Sequence, residues 1–466
     1  MENSNKYNAV VVGGIHGVTC IFPTLKSIID YEENDKVPYQ GYPRFIAHPY
    51  VVAVQENHKR TDKDVFAIQS PEAANFVHLN YFDQPTRNHS FCESQEKNGN
   101  KYGLIYVDKD FAQSAKNSIT NAGVILSSRK AERILKMLNP PIRSETLNHK
   151  LSQLEKGSVP ELTFDYTSGM SAIFDAIISL ISEAKNIAVI GNTYVDSAKI
   201  FHNLPERFSY GKTQFFSDCE NMELSDNTGI VFIEIPSNPK LRVENLSSLV
   251  QKAHSKGAIV IVDSTIATPF HYSPFDYGAD IIIHSTTKSL SGKNNHLGGV
   301  LFVNPKSPLL AYKLHHHAFK LDEEEGLVLE DNLTGFADRI KTMNDNALKV
   351  FNYLKLEKNV NNIYFAKGLQ NGNGHIISFE LNEVNFRIAE AFYDNCTLPV
   401  KGPSMGYEKS MLMPYTLFTH YSYSDEYLAK IGLEKYLMRL SVGTESVEEI
   451  IDHLSNGFRA VDAIKM

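Results

Sequence analysis

Cysteine is scarce in this chain and never clustered. Cys20, Cys92, Cys219 and Cys396 are the only four among 466 residues, and no two form a CxxC pair. Such scatter excludes a disulfide framework and a cysteine zinc site, and fits reduced thiols in a cytosol. Positive charge is in deficit. Lysine and arginine number 46 against 54 acids, leaving a net charge of −8, which excludes a nucleic-acid partner held by counterion release. Long hydrophobic runs are missing too: none reaches the ~18 residues of a membrane span. The first residues, MENSNKYNAVVVGG, have one lysine and a short valine run without a small-residue cleavage site, so they do not read as a secretion signal. The expected location is the cytoplasm, away from nucleic acid and membrane.

What is present is a run of short apolar segments alternating with helical ones. Residues 1–64 stand apart: Pro23, Pro38, Pro43 and Pro49 prevent a long helix there and predict an extended arm. From about residue 65, residues 102–108, 186–191, 229–235, 257–263 and 280–284 read as strands. Their consecutive apolar positions suit strands buried on both faces of a parallel sheet. Met170, Ile173, Phe174, Ile177, Ile178 and Ile181 mark one face of a helix running to about Lys185. The pattern predicts an α/β fold: a large domain over 65–305 with a mainly parallel sheet, and a smaller α+β domain over 306–466. That second domain has longer helices, one of them over 333–355. The acidic run Asp322–Glu325 reads as a solvated surface.

Chemistry concentrates in one frame, AIVIVDST followed by ADIIIHSTTKS. Asp263 closes one very apolar strand and Lys288 follows the next. A pyridoxal 5′-phosphate (PLP) site needs this combination: a lysine to hold the cofactor through its amine, and a carboxylate to keep the pyridine nitrogen protonated. Thr167-Ser168-Gly169-Met170 opens the predicted helix, where glycine lets backbone N–H groups approach a phosphate and the helix dipole favours the dianion. The same residues also suit a plain serine cap. Ser285 and Thr287, flanking the lysine, would add hydroxyl donors to that phosphate. Asn238, at another strand end, would donate to the cofactor's phenolic oxygen. Two other patterns carry nothing. Val10–Gly17 lacks the GxGxxG spacing of a dinucleotide loop, and His315, His316 and His317 diverge on a helix, so no metal site is expected.

Met170-Ser-Ala-Ile, Glu234-Ile-Pro-Ser-Asn-Pro-Lys-Leu, Val262-Asp-Ser-Thr, Ser285-Thr-Thr-Lys288, Ser404-Met-Gly406 and Arg439-Leu-Ser-Val-Gly443 together resemble the Cys/Met-metabolism family of fold-type I PLP enzymes. Gly41-Tyr-Pro-Arg-Phe-Ile, Tyr194-Val-Asp-Ser197 and Lys401-Gly-Pro-Ser-Met-Gly are similar to its fungal cystathionine γ-synthase branch. The resemblance implies a fold-type I architecture with a seven-stranded sheet. It implies γ-replacement on an O-acyl-L-homoserine by a thiol, with cystathionine or methionine lyase, O-acylhomoserine sulfhydrylase and a non-catalytic binding protein as alternatives. Lys288 would move the α-proton, Tyr194 would stack on the cofactor ring and assist leaving-group departure, and Arg439 with Ser404 would hold the substrate. Tyr42 and Arg44 would reach the phosphate of a neighbouring subunit in a homodimer or homotetramer. Two departures from the family pattern stand out. His48 replaces an asparagine, and Val195-Asp196-Ser197 replaces Gly-Gly-Thr, which narrows the pocket and adds a charge.

Overall fold

The computed structural model describes residues 11–34, 42–143, 146–181, 185–207 and 211–465; Val10 and Gly41 of the motifs above lie outside them. Its centre is a seven-stranded sheet of β1 (Thr163–Tyr166), β2 (Asn186–Ile190), β3 (Thr213–Phe216), β4 (Thr228–Glu234), β5 (Ile259–Asp263), β6 (Ile281–His284) and β7 (Gly299–Val303). The spatial order is β1-β7-β6-β5-β4-β2-β3. Only β7 runs against the others. Valine and isoleucine dominate β4 to β6 because both faces are covered: Phe232 and Ile261 face one core, Val231 and Val260 another.

A second sheet of five strands lies in the C-terminal part. The expected boundary at residue 306 differs from the packing. Phe319, Leu329, Phe336 and Ile340 still cover the large sheet, whereas Ala347, Val350 and Leu354 belong to the second core. The helix Phe336–Leu356 therefore straddles both.

Three expectations need correction. Residues 100–108 form a strand, but in a separate three-stranded antiparallel sheet. Ile105 and Val107 point into one core while Tyr102, Leu104 and Tyr106 point into another, which explains the unbroken apolar run. The arm is not extended: it contains α1 (Leu25–Asn34) and α2 (Pro49–Glu56). Proline is accommodated because Pro49 takes the first turn of α2, where no N–H is needed. The departure at His48 serves this start, its ring accepting from Tyr50 N as the helix cap. The acidic run is likewise not a solvated face. Asp322 and Glu325 are buried, paired to Arg133 at 2.7 Å and to Arg129 at 2.9 Å.

Candidate active site

The helix α3 (Gly169–Leu180) begins beside the ends of the sheet strands, and its start is built closely. Ser168 caps it, accepting from Ser171 N at 3.0 Å and donating to Gly123 O at 2.9 Å. Its hydroxyl is thus committed to the cap, leaving backbone N–H groups as the anion donors of this end. A Cβ on Gly169 would fall 2.8 Å from the Ser285 Cβ, so only glycine allows the approach. Predicted to end near Lys185, the helix stops at Leu180.

Asp263 ends β5 and Glu234 ends β4 directly alongside, in parallel register. Thr265 fixes Asp263, donating to Oδ1 from its amide at 2.9 Å and from its hydroxyl at 2.6 Å, while accepting from Ser285 N at 2.8 Å. Burial raises both carboxyls above the usual range; Glu234 stands well above it because Asp263 adds like-charge repulsion. Glu234 also accepts from Tyr194 N, closing a loop between two strand ends.

Lys288 sits in a single π-turn, Thr286–Leu290, with a non-helical backbone at the lysine itself. Gly406 packs against this turn, where a Cβ would meet Ser289 N at 2.4 Å. The amine donates to Ser404 Oγ at 3.1 Å and lies 4.6 Å from the centre of the Tyr42 ring. Burial lowers its pKa; Tyr42 opposes this, while Arg439 and Arg44 reinforce it. Lowering its pKa makes this amine a readier proton acceptor than an ordinary lysine.

Around it, the pocket is lined by Tyr42, Arg44, Ser168, Gly169, Met170, Tyr194, Asn238, Asp263, Ser285, Lys288 and Arg439. Sequence reasoning named all of these, and the fold brings them together from positions up to 397 apart in the chain. Thr287 and Ser404 are the exceptions: Ser404 lines the adjoining chamber and meets the Lys288 amine from there. The Thr287 hydroxyl donates to the Gly298 carbonyl at 3.2 Å, accepts from its amide at 3.0 Å and also bonds the Tyr42 phenol, so Thr287 reaches the pocket through Tyr42 and does not line it directly. Asn238 turns its carbonyl oxygen to Arg439 at 2.9 Å. Arg439 also donates to Ser404 O at 3.1 Å. Within the single chain, Tyr42 and Arg44 line this same pocket. Arg44 is caught there by Asp196 at 3.0 Å, Tyr194 Oη at 2.9 Å and Thr120 O at 3.1 Å. The charge that Asp196 adds is therefore paired. Burial alone would raise the Tyr42 phenol, but Lys288 and Arg44 outweigh it and bring it below the ordinary value.

Two contributors escaped the sequence reading. Glu234 had a signal: GIVFIE and AIVIVD both close on a carboxylate, and adjacent parallel strands bring such ends together. Thr265 had none beyond its place after Asp263. Among the described residues no cluster of metal-ligating side chains occurs, the three adjacent histidines included, and no helix is long and apolar enough to cross a membrane.

Helix-start amides, a strand-end carboxylate, a desolvated lysine and a glycine-floored cradle fit a phosphorylated pyridine aldehyde. A family model described as Cys/Met metabolism PLP-dependent enzyme matches residues 113–459, well over half of the chain. This chain belongs to that family. As a member of the Cys/Met-metabolism PLP enzymes it is 28% identical over 340 residues to an L-methionine gamma-lyase of Fusobacterium nucleatum subsp. polymorphum, covering 68% of this chain and 83% of the relative. It is 27% identical over 337 residues to the cystathionine gamma-synthase of Escherichia coli (strain K12), covering 68% and 86%. A crystal structure of cystathionine gamma synthase from Xanthomonas oryzae pv. oryzae, in complex with aminoacrylate and cysteine, matches with a TM-score of 0.62 at 25% identity, covering 68% and 86%. The fold is that of the fold-type I PLP enzymes and the cofactor is PLP.

Proposed function

We propose that this enzyme replaces the γ-acyloxy group of an O-acyl-L-homoserine with a thiol. One observation carries the reading: a second chamber of about 400 Å³ opens onto the same Lys288, Tyr194 and Arg439 that line the cofactor pocket. A replacement reaction needs such room for a second reactant while the first is held.

Arg439 is buried, and no acidic side chain among the described residues forms an ion pair with it. It is the natural seat for the substrate α-carboxylate, taken by two parallel N–H bonds. Lys288 then removes the proton from Cα and returns protons along the same face. PLP, when bound, supplies a ring that takes up the negative charge left at Cα. Asp263, held by Thr265, keeps a proton at the ring nitrogen. Tyr194 stays a protonated donor because burial raises its phenol well above the ordinary value, with Asp196 adding to this. Its O–H hydrogen-bonds the departing carboxylate oxygen and keeps its proton. In balance, the Cγ–O bond breaks, a Cγ–S bond forms, the acyloxy group leaves as a carboxylate, and the thiol proton goes to solvent.

Elimination is the second reading, favoured by the likeness to a methionine gamma-lyase. A product assay separates them. With O-acetyl- or O-succinylhomoserine alone, slow release of 2-oxobutyrate is expected; added cysteine should suppress it and yield a thioether. Release of 2-oxobutyrate unchanged by any thiol would refute the replacement reading.

A further inference from the structure

The outer chamber carries a pair of opposite charges that the chemistry above does not use. Glu32, on α1, and Lys199, on α4 (Val195–Arg207), both line it. Glu32 is half-buried and makes no hydrogen bond or ion pair with a described residue. The charge that acts on it is that of Lys199; neither Lys288 nor Arg439 does. Burial pushes the Glu32 carboxyl up to about 7, with Lys199 pulling the other way, as befits an acid waiting for a cation. Lys199 is anchored by one bond, to Asp196 at 2.9 Å, and its side chain is half exposed. Since Asp196 already neutralises Arg44, two N–H bonds of Lys199 remain free for an anion.

We propose that Glu32 and Lys199 form a subsite for the second substrate, Glu32 taking its α-ammonium and Lys199 its α-carboxylate, so that the thiol accepted is a zwitterionic amino acid. The inference rests on the replacement reading and deepens it. A carboxyl with no described bond and an ammonium held by one bond, both facing one chamber, complement a zwitterion, whereas sulfide or a simple alkyl thiol leaves both groups unmatched in a partly desolvated space. The thiol is then held by its backbone end and its sulfur points toward Lys288, in the chamber that both regions share.

The test compares three thiols on the holoenzyme with a saturating O-acylhomoserine: cysteine, cysteamine, which lacks the carboxylate, and 3-mercaptopropionate, which lacks the ammonium. Wild type is expected to favour cysteine over each analogue by at least about tenfold in kcat/KM, as one lost charge-assisted contact predicts. Glu32→Gln should erase the preference over 3-mercaptopropionate while keeping that over cysteamine; Lys199→Met should do the reverse. Parallel losses on all three thiols, or a wild type indifferent among them, would overturn the subsite. If wild type transfers no thiol, the replacement reading fails separately. The subsite is then read on cleavage: Glu32→Gln must raise the KM for cystathionine, which has a distal amino-acid end, and not that for methionine, which has none. Equal effects on both would overturn it there.

Discussion

Arg439 donates to Asn238, to the Ser404 carbonyl and toward the Met413 sulfur, all neutral acceptors. A buried guanidinium satisfied only by neutral groups has its charge left for a ligand, and its planar fork fixes how a carboxylate docks. Arg439→Lys should therefore lose nearly as much as Arg439→Ala, about 3 kcal/mol or roughly a hundredfold in kcat/KM for the amino-acid substrate. Steady-state kinetics on both variants check this; a lysine variant within about threefold of wild type would contradict the bidentate grip. At this scale the site was largely legible. Asp263 closes one apolar strand and Lys288 follows the next, and strand ends are where open α/β sheets bind ligands. Arg439 was legible only through the motif that carries it, because it lies inside the strand Met438–Ser441 of the second sheet. Thr287 turns toward Gly298 and Tyr42, because closeness to the lysine on the chain says nothing about direction once the backbone leaves helical geometry at Lys288. Asp322 and Glu325 were misjudged because their partners, Arg133 and Arg129, lie about 190 residues upstream, beyond any local pattern.

The π-turn that presents Lys288 is held from behind. Ser289 Oγ lies 3.0 Å from His375 Nε2, and His375 precedes the strand Ile376–Leu381 of the second sheet. Burial, helped by His271 and Arg339, lowers the His375 pKa to about 3. The folded state then keeps this ring neutral while an unfolded chain takes up a proton below about 6.5. Stability is thus fully present above pH 6.5 and is lost as pH falls from there toward 3. Urea midpoints between pH 7 and 4.5 should fall, and His375→Gln should flatten the slope by up to about 2 kcal/mol over that interval. An unchanged slope would show that the imidazole is not held neutral. Elements themselves were readable where one periodicity applied, as in β4 to β6. They were ambiguous in residues 100–108, because a strand buried on both faces looks alike in parallel and antiparallel sheets.

Over the whole molecule the N-terminal arm ties the parts together. Leu25 and Ile28 of α1 enter the second core, Tyr42 and Arg44 enter the cofactor pocket, and Val51 and Val54 of α2 pack with Leu104 and Tyr106 of the small sheet. Proline positions predicted an arm but not its course, which depends on the distant Asp196. With Tyr42 and Arg44 in their own chain's site, co-expressed Lys288→Ala and Arg44→Ala chains should show no more activity than either parent. An arm that crossed between subunits would instead restore about a quarter of the wild-type sites in a dimer. Differently tagged chains, purified together and assayed, distinguish the two outcomes.

Glu234 and Asp263 stand abreast at neighbouring strand ends, both raised by burial and one by the other. Two such carboxyls titrate as a pair and keep a shared proton to higher pH than an isolated carboxyl would. A positively charged pyridine nitrogen brought against Asp263 dismisses that shared proton to the solvent. Filling the site is then also an acid release, and its heat depends on what catches the acid. Calorimetric titration with PLP should give different enthalpies in Tris and phosphate at one pH, and Glu234→Gln should narrow that difference. The same two side chains that hold the ring would make cofactor uptake easier in slightly alkaline surroundings than in acid ones.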